Sequence, residues 1–191
     1  MSGRPSIRRN NSGFTLTELV VVMVIVAVLA ALALPSYKYV TTSNRMSAEV
    51  NQLLGDMQFA RSEAIKEGMP VTVCIANLTG TQCQGAGTIS WQNGWIVFTD
   101  SNANQHVDAA AGEVVLRWTP AFTSTDTFVA VSPTFWYATF NRSGYAPTGL
   151  AATTTVNLHD STDTRQWTRC LAVTPIGSPT TEKYGVTPTC N

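Results

Sequence analysis

Few side chains in this sequence are of a type and spacing that could do chemistry. They are four cysteines, two histidines, an acid-rich loop and one carboxylate at the mouth of an apolar run. Cys74, Cys83, Cys170 and Cys190 include no Cys-x-x-Cys pair, and His106 and His159 stand apart from them, so no metal is assigned. In an exported chain these cysteines read as two local disulfides, Cys74/Cys83 and Cys170/Cys190; in the cytosol they would stay thiols. Four cysteines allow three connectivities, and the other two pairings stay open. The stretch DSNANQHVDAAAGE sets Asp100, Asn102 and Asn104 at alternate positions, as a calcium loop begins. Gln105 then stands where the sharp-turn glycine belongs and Ala111 where the bidentate acid belongs, so residues 100–108 read as an Asx-rich hairpin turn. There is no glycine-rich phosphate loop, His-Glu-x-x-His run or nucleophile elbow. The expectation is therefore a non-enzymatic protein with no catalytic residue and no cofactor.

Glu18 is the remaining reactive group. Residues 19–34 after it carry no charge and almost no polarity. Residues 14–34 number 21, about 31 Å of helix at about 1.5 Å per residue, which crosses a bilayer. An ordinary secretory signal has a shorter apolar core and is cleaved after it. Arg4, Arg8 and Arg9 precede the run, so the positive-inside rule keeps the N-terminus cytoplasmic. An unpaired carboxylate in lipid costs roughly 2.5 kcal/mol or more, so Glu18 calls for a partner; an interfacial acid near a helix end is the plainer alternative.

The run SGFTLTELVVVMVIVAVLAALALP resembles the prepilin motif of type IV pilins and of the pseudopilins of type II secretion. The resemblance implies cleavage by a prepilin peptidase between Gly13 and Phe14 and N-methylation of Phe14. It makes Glu18 the fifth mature residue, which in the family pairs with the N-terminal amine of a neighbouring subunit and fixes axial register. Pro35 falls where many pilins carry a helix-kinking proline.

The elements that must position these groups follow from periodicity. After Pro35, the residues Val50, Leu53, Leu54, Met57, Ala60, Ala64 and Ile65 recur at three- and four-residue steps, one apolar stripe of a helix. Asn51, Gln52, Asp56, Arg61 and Glu63 lie largely off it, and Gly68 and Pro70 stop it. One helix is thus expected over about residues 15–66. Beyond it the pattern turns to β-branched alternation: PVTVCIAN, GWIVFTD, GEVVLRW, TFVAVS, TFWYATFN, TTTVNLHD and QWTRCLAVTP read as about seven strands between Gly, Pro, Asn and Asp turns. With no second long helical pattern among them, antiparallel sheet is favoured.

The β region, through WQNGWIVFTDSNANQHVDAAAGEVVLRW and FNRSGYAPTG, resembles the GspH/FimT family of minor pilins and minor pseudopilins. The resemblance implies an α+β, pilin-like fold: a leader at residues 1–13, a long N-terminal helix at 14–68 with a transmembrane half at 14–34, and a β-rich head at 69–191. It implies, too, that Cys170 and Cys190 fasten the C-terminal segment as many pilins do. Expected partners are other major and minor pilins through the helix, the prepilin peptidase and methylase, and the inner membrane before assembly. The expected location is a single pass through the bacterial inner membrane with the head periplasmic, then a pilus or pseudopilus. The function implied is a minor pilin of a type IV pilus that helps initiate assembly and form the tip complex. A DNA-binding minor pilin and a minor pseudopilin of type II secretion are the alternatives.

DNA is the less favoured partner. Without the three leader arginines, 9 Lys/Arg face 12 Asp/Glu, a formal −3. DNA-binding relatives resemble one another in a Gly-Arg-x-Arg motif near the C-terminus; here Ser178 and Thr180 stand in the arginine places after Gly177. Arg165, Arg169 and Lys183 are the nearby cations, countered by Asp160, Asp163 and Glu182, while Trp167 and Tyr184 are the candidate stacking aromatics.

Overall fold

The computed structural model describes residues 13–146, 152–186 and 190, the side chains of 34–36 excepted. The basic leader, with Arg4, Arg8 and Arg9, and the ring of Pro35 lie outside the described residues. The backbone of α1 (Leu16–Glu67) is helical through position 35 without a break. It ends where expected: Gly68 adopts φ +68, and its N–H reaches the Ala64 carbonyl at 3.1 Å, a left-handed cap that only glycine enters cheaply.

The chain divides into two compact units, residues 1–41 and 42–191. In the first, the described residues from position 16 onward are helical, and the apolar side chains from Leu19 to Leu32 are exposed. In the second, the rest of α1 joins two four-stranded antiparallel sheets. One runs in the order β3 (Val115–Pro120), β2 (Gly94–Thr99), β1 (Val71–Ile75), β5 (Tyr137–Phe140); the other in the order β4 (Thr127–Ala130), β6 (Thr154–His159), β7 (Arg169–Val173), β8 (Pro179–Lys183).

The helix stripe explains the core. Met46, Val50, Leu53, Met57, Ala60 and Ala64 are fully or almost fully buried, together with Val71, Val73, Trp95 and Val97 of the first sheet and Phe128, Val156, Leu158 and Leu171 of the second. Each large side chain removed from water contributes about 2 kcal/mol. Strands β1 and β2 are buried on both faces, because Cys74, Ile96 and Phe98 form a second cluster on the opposite face of that sheet. Three details differ from the sequence reading. Ile65 is half exposed, whereas Met46, a turn upstream of the expected stripe, is buried. The third strand starts at Val115, not at Gly112, because Glu113 is spent closing the preceding loop. Among the described residues there are eight strands: β8 escapes the alternation pattern because it opens on proline and ends in Glu-Lys, the chemistry of a guarded sheet edge rather than of an alternating strand.

Candidate assembly segment and head sites

At its start, α1 is capped by its own sequence. The Thr15 Oγ1 accepts the Glu18 N–H at 3.2 Å, and the Leu19 N–H meets the Thr15 carbonyl at 3.2 Å. This is the N-cap half of a Thr-x-x-Glu capping box, a signal present in TLTE that sequence analysis did not use. Glu18 occupies the first turn, where unpaired N–H groups and the helix dipole favour a negative charge. Gly13 and Phe14 precede the helix and are exposed, Phe14 by 79%. The helix is long and apolar enough to cross a membrane, and none of that window is buried. Its valines, leucines and isoleucine are open all round the cylinder, so this surface must be covered by lipid or by other helices.

In the head the cysteines pair locally. Cys74 bonds Cys83 and ties the end of β1 to the following turn, with Cα atoms 5.6 Å apart; Cys170 bonds Cys190 and ties β7 to the C-terminal segment, at 5.7 Å. The two pairings left open by spacing are thereby excluded.

The 100–113 loop closes on itself. Buried Asp100 accepts the Thr72 hydroxyl at 2.7 Å and the N–H groups of Asn104 and Gln105 at 2.9 and 3.1 Å. Burial pushes its carboxyl up, against the pull of those bonds, and the nearby Glu113 adds to the rise. Glu113 accepts the Ser101 N–H and hydroxyl on one oxygen and the Asp108 N–H on the other. Asp108 takes the side-chain amides of Asn104 and Asn102, which hold its carboxyl below the usual range. Gln105 adopts φ +64, the left-handed conformation a glycine would enter freely. Every carboxylate of the loop is thus engaged by donors of the loop itself or, for Asp100, also of β1.

The three candidate DNA contacts do converge. Arg169 and Lys183 are register partners across β7 and β8, and the Arg165 guanidinium lies over the Tyr184 ring at 5.4 Å. Two of the acids expected to oppose them are engaged elsewhere: Asp160 accepts the Thr162 and Thr164 N–H groups at 3.2 and 2.7 Å, and Asp163 lies 2.8 Å from the His159 Nδ1. Arg169 itself is turned back onto the Gln166 and Thr168 carbonyls. Trp167 is partly buried and packs against the core, as a core or rim aromatic does.

Two sites were not visible in the sequence. Asp56, placed off the apolar stripe by periodicity, is buried at 7% exposure. It accepts the Trp95 Nε1–H at 2.8 Å, the Thr119 hydroxyl at 3.1 Å and an Arg117 Nη1–H at 2.9 Å. Farther up the helix, about two to three turns before Asp56, Arg45 grips Asp126 bidentately at 2.7 and 2.9 Å, and Glu49 accepts the Ser124 hydroxyl at 2.9 Å. Burial first, then the charge of Asp126, push the Glu49 carboxyl up to about 7, against the Ser124 bond and the Arg45 charge. These partners lie 39 to 81 residues away in sequence, and no local pattern announces them.

Comparison with known proteins now bears on this architecture. Residues 49–177 match the family model described as type II transport protein GspH, and residues 8–34 match the prokaryotic N-terminal methylation motif. Two crystal forms of the type IV minor pilin FimU of Pseudomonas aeruginosa share the fold. One is 19% identical with a TM-score of 0.57, covering 78% of this chain and 96% of that one. The other is 18% identical with a TM-score of 0.54, covering 76% and 99%. No curated protein sequence matches the chain.

Proposed function

We propose that this chain, which belongs to the GspH family of pilin-like structural subunits, is a minor pilin of a type IV pilus that helps initiate assembly and takes its place in the tip complex. One observation carries the reading: a Gly13–Phe14 step and a capped Glu18 open directly onto a helix half whose apolar surface is wholly unburied. Lipid covers that surface before assembly and neighbouring pilin helices cover it afterwards. In this reading a prepilin peptidase removes the leader, residues 1–13, by cutting after Gly13, and Phe14 becomes the N-methylated terminus. Glu18 then meets the terminal amine of an adjacent subunit, so that a charge expensive in lipid sets the axial step between helices. Pro35 lacks an N–H for the helix ladder and lets the long helix bend there. The head remains periplasmic until the subunit leaves the inner membrane for the filament. No catalytic residue is assigned; the protein contributes packing, register and surface.

The family description favours a second reading, a minor pseudopilin of type II secretion, while the fold shared with FimU supports the pilus. Deletion separates them: loss of twitching motility with normal exoprotein release supports the pilus, and the reverse result supports secretion. The convergence of Arg165, Arg169 and Lys183 favours a third reading, DNA binding. The proposed function predicts no shift of duplex DNA by the full chain in detergent at moderate salt. A shift that fades steeply with added salt would establish DNA binding instead.

A further inference from the structure

Among the described residues the two sheets of the head have four edge strands, and three are covered or guarded. The outer side of β4 meets residues 89–92: Ser90 bridges Val129, the Ala130 N–H reaches the Ile89 carbonyl at 2.9 Å, and the Phe128 N–H reaches the Gln92 Oε1 at 3.0 Å. On β5, Ala138, Thr139 and Phe140 are buried. On β8, Pro179 opens the strand and Glu182 and Lys183 close it, the proline and charge that discourage pairing. β3 is the least covered. Thr119 is its one buried residue and Pro120 comes only at its end; Arg117 turns toward Asp56 and the pairing with β2 shifts register at Val97/Phe98, which twists the first half of the strand and leaves Arg117–Pro120 in regular register. Among the described residues nothing pairs with its outer backbone.

A groove of about 560 Å³ runs beside that edge, walled by Asn51, Gln52 and Gly55 of α1 and by Arg117 and Thr119 of β3. Gly55 lies inside the helix, where glycine is destabilising relative to alanine. A Cβ there would meet nothing within 4 Å, so no packing within this chain requires the glycine. It leaves room for another backbone to come close. Across the groove the Arg117 guanidinium stacks on Phe59 at 3.7 Å and gives one N–H to Asp56, and with 48% of the side chain exposed its other donors are open to an acceptor.

We propose that the β3 edge and this groove receive an extended segment of a different filament subunit, which adds as a further strand and sets a carboxylate against Arg117. The proposal rests on the filament-subunit reading above. Charge argues against a second copy of this chain. Antiparallel self-pairing of β3 about a two-fold axis brings two Arg117 side chains onto one face near each other, and like charges so placed are repulsive. Charge complementarity instead selects a partner that carries an acid.

The test uses the full chain in its native bacterium, with a photo-crosslinking amino acid at Gln52 in the groove or, separately, at Val24 in the apolar helix half. Cross-linked peptides from assembled filaments are identified by mass spectrometry. The expected product at position 52 joins an acid-bearing segment in the head of another pilin-class subunit. Gly55→Tyr should lower that product by at least about tenfold, leaving the position-24 product and the thermal midpoint undiminished. A position-24 product without one at position 52, or a position-52 product indifferent to Gly55→Tyr, overturns the docking proposal and leaves the filament reading standing. A position-52 product joined to a second copy overturns the choice of partner. Loss of cross-links at both positions overturns the filament reading and the proposal with it.

Discussion

Replacing Asp56 by alanine removes the acceptor for three donors at once. The Trp95 indole is fully buried and Thr119 is nearly so, so their N–H and O–H groups would be left without a partner in the core. A hydrogen bond to a charged group is worth about 1.5–3 kcal/mol, and a stranded buried donor costs about 1–3 kcal/mol. Arg117 adds less, because its side chain is 48% exposed and water replaces the lost partner. The sum for Asp56→Ala is about 3–5 kcal/mol, in the range for breaking a buried charged contact from one side. For a unit of this size, that lowers the thermal midpoint by roughly 6–20 °C. Asp56→Asn keeps one oxygen acceptor and loses the charge, so it should cost about 1–2 kcal/mol. Thermal unfolding of the full chain in detergent micelles, followed by near-ultraviolet circular dichroism, reads both, since the buried Trp91 and Trp95 contribute to that signal only while the head is packed. A midpoint for Asp56→Ala within about 2 °C of wild type would refute the reasoning, because it would mean that none of the three contacts is held in the folded head.

Other consequences can be checked in the same preparation. Glu49 has a folded-state pKa of about 7 against an ordinary 4.5, with Arg45, Ser124 and Asp126 facing it. Folding therefore favours its protonated form: the stability it contributes is complete below the ordinary value and is lost as pH rises through about 7. The midpoint should fall between about pH 5 and about pH 8, and Glu49→Gln should flatten that fall; an unchanged slope would contradict the assignment. Gly177 has φ +74, and a Cβ there would lie 2.2 Å from the Gly144 carbonyl oxygen. Gly177→Ala should therefore destabilise by at least about 2 kcal/mol, visible as a lowered denaturant midpoint. Gly55→Ala should do the opposite and raise the thermal midpoint by about 2–4 °C, because the new methyl group enters open space on a helix.

What the sequence disclosed follows the range of the interactions. The helix was legible because apolar spacing and a glycine cap are local, and the processing motif was legible because its residues are contiguous. Most strands were legible by alternation, although β1 and β2 are buried on both faces and owe their clarity to β-branched content instead. β8 was hidden because an edge strand is selected for features that suppress strand character. Asp56 was misplaced because a helical wheel separates apolar from polar positions, and only the distant Trp95, Thr119 and Arg117 make a buried acid tolerable there. Met46 shows the same limit from the other side: its burial depends on how far the sheets reach along α1. The Cys74–Cys83 and Cys170–Cys190 pairings needed three-dimensional proximity to be chosen among three connectivities.

The central claim is that the N-terminal segment is an assembly surface whose register Glu18 sets. Its most direct measurement is the fraction of Glu18→Ala chains recovered in sheared filaments relative to the inner membrane, with wild type as reference. The account predicts normal membrane insertion and cleavage after Gly13, with filament incorporation reduced by about tenfold or more, the scale of one lost buried charge pair. Incorporation equal to wild type would contradict it.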